Sequence, residues 1–596
     1  MKTHFLGGLA LGALAAACAP VNQTVETIAA PIEAAAASEV ANAAFDALAA
    51  SYLDMDAQLD PVSATTRGDH RFDDRVTDLS ASGRALMMAQ VDRHLDWLAQ
   101  IDRDALSRDR QVDAALLENA LRYTRWQMIH ERVWARDPQI YQGYAGGALY
   151  GLAARDFAPW DVRLKAATAR MQALPRIFAA ARANLDPALV PPIMAQTVAS
   201  QHAGLTSIID GMLAPHKDAL SAADAAAFDA AYAALKPAIA EHQAWLNDTL
   251  VPNASGTHAL GMDRYRTKLQ FALQSPLSLE EIKAMAEATI VDSRDAMAQL
   301  ATQALTAKGM AVPTDQQALI EAGLALSYAV RPEREELEQY ARNLVDQSTD
   351  FTREKDFITI PPLNFEIITM PEFQQGYAVA YADPPGPQEQ HLPAFYAVSP
   401  IPADWTDEQA VSFLSEYNHY MIHELNIHEA IPGHILQLAH SVQNDSDLRA
   451  VLWSGSFVEG WAVYSEEVMR ELGYLDYDPL YQMTVHKMRL RAAANALLDI
   501  GIHTEGMTEA EAMELMTVRT FQQEREAAGK WVRANLGSTQ LPTYIVGYLE
   551  HMALREEAEA RLGDDFDLKA YHDAVLSHGS PPVRYARALM FDLPIE

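Results

Sequence analysis

From Glu39 onward the chain is patterned for α-helix, and this pattern most restricts the folds that it can adopt. Apolar residues recur at the three- and four-residue spacing that lines one face of a helix, as in Ala44, Phe45, Leu48, Ala49 and Tyr52. Comparable stretches follow through residue 345. Capping boxes predict helix starts at Ser278, Thr406 and Thr508, because Glu or Gln follows each three residues later. The pattern predicts a mainly α fold.

Residues 356–400 depart from the helical pattern. They contain four short runs rich in β-branched and aromatic residues, at 357–360, 365–369, 377–381 and 394–398, separated by proline and glycine. We expect a small twisted β-sheet of three or four strands here. An edge strand could hold an extended peptide through its unpaired backbone groups, although a purely packing role is an equal alternative.

The acidic composition of the chain disfavours negatively charged partners. The chain has 596 residues, of which 49% are apolar, as in an ordinary globular protein. It carries 46 Lys and Arg against 80 Asp and Glu, a formal net charge of −34. So large an acidic excess disfavours nucleic acid and anionic lipid surfaces as partners, and is most simply a solubility device.

The N-terminus has the features of an export signal. Lys2 and His4 precede an apolar stretch, residues 5–17, that is too short to span a membrane. Ala15-Ala16-Ala17-Cys18 resembles a bacterial lipobox, although its leucine, Leu14, lies four residues before the cysteine rather than three. Cys18 is the only cysteine, which favours lipidation and excludes an intramolecular disulfide. Ordinary signal-peptide cleavage is the alternative.

These features predict an exported protein. Residues 1–18 would be the signal peptide and residues 19–38, rich in Ala, Thr and Pro, a flexible tether. Ala19 after the cysteine resembles lipoproteins that are sorted to the outer membrane. We therefore expect a periplasmic protein, anchored by lipid to the outer or the inner membrane.

The segment His428-Glu429-Ala430-Ile431-Pro432-Gly433-His434 carries the strongest chemical signal. Catalytic zinc commonly takes three N or O ligands and leaves one position open for water. Histidines four apart share a helix face, but residues six apart diverge by about 120° on an ideal helix. Pro432 removes a backbone N–H and Gly433 permits an unusual backbone path, so a break here could return His434 to the side of His428.

Two other arrangements compete with this one. His419 and His423 lie four apart on the same predicted helix, so their rings share a face. His423-Glu424-Leu425-Asn426-Ile427-His428 would need only a one-residue bulge. A single histidine on an amphipathic helix is usually exposed or hydrogen-bonded, but four within residues 419–434 weaken that explanation. Spacing alone leaves the two glutamate-containing arrangements open.

The motif set resembles the bacterial domain-of-unknown-function 885 family, whose pattern usually reads H-E-x-x-P-G-H-H-x-Q. This chain has Gln437 at the last position but Ile435 in place of the second adjacent histidine. Further blocks are similar to E-G-W-A-x-Y and to R-A-A … D-x-G-x-H-x-x-G of the family, namely residues 459–466, 491–493 and 499–506. Members are regarded as candidate zinc peptidases, mostly helical, similar to gluzincins such as thimet oligopeptidase and carboxypeptidase Taq.

The resemblance implies a ligand set and a general base. His428 and His434 would bind Zn²⁺, and Glu459 from the next helix would be the third ligand. Glu429 would take the proton of the attacking water and pass it to the leaving amine. A ligating histidine usually donates its other N–H to a carboxylate, and Glu466, Glu467 and Asp499 are the available acceptors.

Other site residues are predicted with less support from the motifs. An oxyanion formed opposite the metal needs a donor, and His503, Tyr544 and Tyr548 are the catalytic candidates. Arg491 and Tyr396 are the substrate-binding candidates. Arg491 could pair with a peptide carboxylate, although a structural ion pair is the simpler role for it.

The expected protein is an exported zinc metallopeptidase that hydrolyses short peptides. Its large helical metallopeptidase-like domain, residues 39–596, would comprise a helical part at 39–345, the small sheet at 346–400 and the metal-site helices at 401–596. One alternative is a non-catalytic envelope lipoprotein that binds peptide or metal. Another is a metal-dependent amidase that acts on a non-peptide substrate.

Overall fold

The protein was analysed as a computed structural model, which describes residues 19–334, 336–370, 380–401 and 405–595. Its fold is mainly α, as predicted. The first helices in the chain are α1 (Ala19–Leu59), α2 (Pro61–Arg67), α3 (Ala81–Leu98), α4 (Arg108–Trp126), α5 (Val133–Arg136), α6 (Gln139–Ala153), α7 (Trp160–Asn184), α8 (Pro192–Gln201), α9 (Gly204–Ile208), α10 (Ala222–Trp245) and α11 (Val251–Asn253). The next four are α12 (Met262–Leu273), α13 (Leu279–Ala307), α14 (Gln316–Tyr328) and α15 (Leu337–Lys355).

The C-terminal helices follow a short β-segment. They are α16 (Asp407–Glu416), α17 (His419–Glu429), α18 (His434–Ser441), α19 (Asp447–Val451), α20 (Gly455–Glu471), α21 (Pro479–Ile500), α22 (Glu509–Met513), α23 (Glu524–Leu536), α24 (Thr543–Leu562), α25 (Leu568–Ser577) and α26 (Val583–Met590). The three predicted capping boxes at Ser278, Thr406 and Thr508 are all formed.

The sheet has three strands, β1 (Phe365–Thr369), β2 (Ala380–Asp383) and β3 (Ala394–Val398), in the order β1-β3-β2. β1 is parallel to β3, and β2 is antiparallel to β3 with Ala382 opposite Tyr396. β2 contacts α17, so the sheet lies beside the helix of the histidine motif, as predicted. Residues 377–379 of one predicted strand lie outside the described residues.

The predicted strand at 357–360 does not form. Its backbone groups bond to side chains of the C-terminal helices instead of to a neighbouring strand. The Phe357 carbonyl accepts from His572 Nδ1 at 2.8 Å, and the Thr359 N–H donates to Asp573 at 2.9 Å. Local β-propensity was therefore overridden by tertiary hydrogen bonds.

Residues 19–38 also differ from the prediction, since they form the first part of α1 rather than a flexible tether. Alanine is the strongest helix former, and the segment contains several. Cys18 and its predicted lipidation lie outside the described residues. Within the described part of the chain, no helix combines the length and apolarity needed to cross a membrane.

Two large apolar cores divide the helices differently from the predicted boundaries. One contains buried residues between Val62 and Leu250, and the other contains buried residues between Leu260 and Ala586. Helices α12–α14, predicted as part of the N-terminal helical region, belong to the second core because α13 packs along α21. The metal-motif helices, the sheet and α13 thus share one core.

Candidate metal centre

The chain breaks between α17 and α18, where the proline and glycine predict a break. α17 ends at Glu429 and α18 begins at His434. The φ of Gly433 is −76°, so a left-handed conformation is not why glycine stands there. A Cβ at Gly433 would lie 2.0 Å from the His428 carbonyl oxygen, which only glycine avoids. The Pro432 carbonyl accepts a hydrogen bond from Trp461 Nε1 at 3.0 Å, and this contact fastens the turn to α20.

This turn brings the two predicted histidine ligands together. The rings of His428 and His434 lie 4.8 Å apart between centroids and almost perpendicular to each other. Oε2 of Glu459, on α20, lies 3.7 Å from His428 Nε2 and 3.5 Å from His434 Nε2. These are too long for hydrogen bonds, so the three atoms converge without bonding one another.

The spacing fits a tetrahedral metal ion. With ligand bonds of about 2.0–2.1 Å, the edge of a zinc tetrahedron is about 3.3 Å. The three candidate ligand atoms lie within 4.8 Å of one another. Among the described residues, no other group of three or more histidine, cysteine or carboxylate side chains is close enough together to hold a metal ion. Two imidazoles and one carboxylate are also a donor set that zinc accepts. The residues therefore fit the ion that the motif implies.

A second carboxylate orients His428. Glu466 Oε1 accepts from His428 Nδ1 at 2.7 Å and is almost completely buried. Glu459 and Glu466 are seven residues apart on α20, which places them on one helix face about 10 Å apart, so that they flank the same imidazole. Of the three acceptors considered from the sequence, the structure selects Glu466.

The charges of the cluster perturb one another. Burial alone would raise the pKa of Glu459, but the two neighbouring imidazoles hold it well below its usual range. Burial opposes protonation of His428, yet the neighbouring carboxylates of Glu459 and Glu466 raise its pKa well above the ordinary value.

Glu429 lies at the end of α17, next to the predicted ligand His428. Its Oε2 accepts from the backbone N–H of Ala382 at 3.0 Å, so β2 fixes the direction of the carboxylate. Burial raises the pKa of Glu429, and the two ligand histidines oppose that shift. The contact with Ala382 could not be read from the sequence, because it joins residues 47 positions apart.

Tyr544 lies beside the cluster. Its ring is 6.4 Å from that of His428 between centroids, and burial together with the Glu459 charge raises its pKa to about 12. The hydroxyl oxygen accepts from Gln540 Nε2 at 3.3 Å and from Arg533 Nη2 at 3.5 Å. Gln540 Nε2 also donates to Glu459 Oε1 at 3.3 Å.

Gln540 and Arg533 were missed by the sequence analysis. Neither stands in a motif block, and the only local signal is that Gln540 precedes Tyr544 by one helical turn. Trp461, which holds the turn, stands in the Glu459-Gly460-Trp461 block, but its partner could not be inferred from the sequence.

Two predicted catalytic residues are engaged elsewhere. His503 Nε2 donates to the Gly537 carbonyl at 2.8 Å, and its ring stacks on Tyr265. This buried imidazole ties a π-helical turn to the loop after α23, so the geometry does not support it as an oxyanion donor. Tyr548 lies one turn after Tyr544, but its ring packs under the Arg489 guanidinium, 4.5 Å from the centroid.

Both predicted substrate-binding residues have structural partners. Arg491 Nη2 pairs with Glu526 at 2.6 Å, and its Nη1 lies 3.9 Å from Glu416. Tyr396 is fully buried and its hydroxyl donates to the Asn426 side chain. Because these groups are already paired inside the core, the geometry does not support contact with a substrate.

The competing histidine arrangements are not assembled as metal sites. The rings of His419 and His423 do share a face, with centroids 4.6 Å apart. However, His423 Nδ1 bonds to the Tyr474 hydroxyl at 2.8 Å and His419 bonds to Tyr340. Among the described residues, no carboxylate joins them in a metal-binding group.

Comparisons with known proteins agree with this fold. A sequence model of the family described as bacterial protein of unknown function (DUF885) matches residues 61–590. No curated protein matches the chain. A solved structure from Shewanella oneidensis, described as a candidate lipoprotein of unknown function, is 32% identical with a TM-score of 0.79 and covers 92% of this chain and 99% of its own. Another candidate lipoprotein, from Colwellia psychrerythraea, is 19% identical with a TM-score of 0.69 and covers 93% and 99%, which shows the same fold.

Proposed function

Because the chain belongs to the DUF885 family of bacterial proteins, for which no activity is described, we propose from its site that it is a zinc metallopeptidase of short peptides. The observation that carries the proposal is the convergence of His428, His434 and Glu459 beside the carboxylate of Glu429. A protein that only bound metal would have no use for a general base beside the ligands, and Glu429 bonds to the Ala382 N–H rather than to a ligand histidine.

His428, His434 and Glu459 would hold the ion. Zinc bound there would lower the pKa of a water to about 7 and polarise a carbonyl group. Glu466 keeps the His428 ring in orientation by accepting its Nδ1 proton. The carboxylate of Glu429, fixed by the Ala382 N–H, takes the proton of the attacking water and delivers it to the leaving amine.

Tyr544 is suited to stabilise the oxyanion. Its oxygen accepts hydrogen bonds from Gln540 and Arg533, so its own proton remains available for donation to the substrate. With a pKa of about 12, the hydroxyl keeps that proton at neutral pH. Donors of this kind, held in place before the reaction, contribute strongly to acyl-transfer catalysis.

β2 supports a peptide as the substrate. It is an edge strand, and among the described residues no strand pairs with its outer side, where Ala382 contacts Glu429. An extended peptide added along this side would present its carbonyl groups to the metal centre.

The cellular location is proposed from the N-terminus and the relatives. Cys18 follows an export signal, and the two similar solved structures are described as candidate lipoproteins. We therefore infer an exported protein that is anchored through Cys18 in the outer membrane and faces the periplasm.

The test combines metal content and turnover. Purified wild-type protein should contain about one zinc per chain and cleave members of a peptide library. Glu429→Gln should retain zinc and lose about 10²- to 10⁴-fold in kcat, since it removes only the base. His434→Ala should lose both zinc and activity, whereas His419→Gln, at the competing position, should retain both.

Full activity in Glu429→Gln would eliminate this mechanism. Stoichiometric zinc without peptide cleavage would favour the binding lipoprotein, and cleavage of non-peptide amides alone would favour the amidase.

A further inference from the structure

Two basic side chains of α23, Arg533 beside Tyr544 and Lys530 one turn earlier, form no ion pair among the described residues. Arg533 is exposed and bonds only to neutral groups, Gln540 Oε1 at 3.1 Å and the Tyr544 hydroxyl at 3.5 Å. Lys530, one turn earlier, is 7% exposed. Among the described residues, neither has a carboxylate within 4.0 Å.

Lys530 lies near two carboxylates that have other partners. Glu526 and Glu416, the nearby carboxylates, already pair with Arg491 at 2.6 Å and Lys487 at 2.8 Å. Three basic side chains, Arg491, Lys487 and Lys530, thus share two carboxylates, in a protein whose net charge is −34. Burial, and to a smaller extent Arg491, lowers the pKa of Lys530 well below its usual value, and Glu526 and Glu416 oppose that shift.

Arg533 lies within reach of the candidate metal centre. Consecutive contacts of 3.3, 3.3 and 3.5 Å link Glu459 Oε1, Gln540 Nε2, the Tyr544 hydroxyl and Arg533 Nη2. They limit the distance from the ligand carboxylate to Arg533 to about 10 Å. Since an extended peptide advances about 3.3–3.6 Å per residue, that distance corresponds to two or three residues at most.

We propose that Lys530 and Arg533 bind the C-terminal carboxylate of the substrate, so that the enzyme acts as a carboxypeptidase and releases one to three residues. The inference rests on the proposed peptidase function. A carboxylate between the two side chains would compensate the local positive charge and accept charge-assisted hydrogen bonds from both. An acidic side chain near the substrate terminus offers the same chemistry, and the experiment must separate the two sources.

Three related peptides distinguish a C-terminal carboxylate from an acidic side chain. The first ends in a free carboxylate on a neutral residue, the second is its C-terminal amide, and the third is an amide whose last residue is Glu. The wild type should cleave the first with a kcat/KM about 30-fold above that of the other two. Mass spectrometry of the products should show removal of one to three C-terminal residues.

Variants assign the preference to these residues. Arg533→Gln should lower kcat/KM for the free acid about 30-fold more than for the two amides, mainly through KM, since all three peptides lose the support that Arg533 gives Tyr544 but only the free acid loses a carboxylate partner. Arg533→Lys should recover part of the loss. Lys530→Gln should behave like Arg533→Gln. Arg525→Gln is the matched control, because Arg525 lies on the same helix and stacks on Trp405, 4.1 Å from the ring.

Binding gives a readout that does not depend on turnover. In the Glu429→Gln background, calorimetric titration should show tighter binding of the free acid than of either amide, and Arg533→Gln should remove the difference. Equal cleavage and binding of free acid and amide would overturn this inference while leaving the peptidase intact. Equal preference for the third peptide would assign the cations to acidic side chains instead, which also overturns it. If the wild type cleaves no peptide although zinc is bound, the proposed function fails, and binding alone then decides whether the carboxylate site exists.

Discussion

The hydrogen bond between His428 and Glu466 offers a sensitive test of the proposed metal centre. Glu466→Gln keeps the size of the side chain and an oxygen that can accept the Nδ1 proton, but it removes the charge. The bond is 2.7 Å long and Glu466 is 1% exposed, so water does not replace the lost interaction.

The expected loss follows from the strength of that bond. A hydrogen bond to a charged group contributes about 1.5–3 kcal/mol and a neutral one about 1 kcal/mol, so the substitution should cost about 1–2 kcal/mol. Because each 1.4 kcal/mol is tenfold in affinity, the zinc dissociation constant should rise about 5- to 30-fold. Changes in outer partners of metal-bound histidine typically cost 10- to 100-fold, which overlaps this range.

The assay is competition for zinc against a chromophoric chelator at fixed pH. Glu471→Gln is the control, since it removes a charge from the same helix at a partly exposed site paired with Arg555. Urea unfolding of the metal-free proteins should show that Glu466→Gln is folded. An unchanged zinc affinity in folded Glu466→Gln, or an equal loss in Glu471→Gln, would refute the reasoning.

Three further predictions concern stability. Gly547→Ala places a Cβ 1.8 Å from the Ser456 carbonyl oxygen and should destabilise the fold by about 1–3 kcal/mol or more in urea unfolding. Gly529→Ala is the control, because its Cβ meets nothing within 4 Å, and it should stabilise the fold by about 0.5–1 kcal/mol. Similar effects of the two substitutions would argue against close packing of α20 on α24. Removal of zinc with a chelator should lower the melting temperature measured by calorimetry. Relative to protein with zinc at 100 times its dissociation constant, the loss of unfolding free energy should be about 2.7 kcal/mol. An unchanged melting temperature would argue against a bound ion. Burial raises the pKa of Asp499 to about 7, above its unfolded value of about 3.9. The folded protein therefore favours the protonated carboxyl group. Its contribution to the unfolding free energy is complete below about pH 4 and is lost as the pH rises through 7. Asp499→Asn should therefore show a flatter decline in unfolding free energy between pH 5 and pH 8, and equal slopes for both proteins would contradict this assignment.

Local signals were the most reliable guide to the fold. The capping boxes at Ser278, Thr406 and Thr508, the strands β1 and β3 and the break at Pro432-Gly433 all formed where the sequence predicts them. Each depends on residues a few positions apart, so the sequence contains the whole interaction. The run at 357–360 shows the limit of this reasoning, because distant side chains of α25 took its backbone hydrogen bonds.

The candidate metal centre also combines features set by the local sequence with features set by tertiary packing. The amino-acid sequence by itself determined where the helix breaks, since proline and glycine act within one turn, but its spacing alone did not decide between the two glutamate-containing histidine arrangements. Tertiary structure alone decided that Glu459 and Glu466 flank His428 from one helix, because the position of α20 depends on the close approach of Gly460 to Gly547 on α24. The same packing decided which polar groups surround Tyr544 and which predicted residues, such as Arg491, became internal ion pairs. Contacts between elements far apart in the chain depend on how many side chains pack together in the core, and a local sequence pattern does not contain that information.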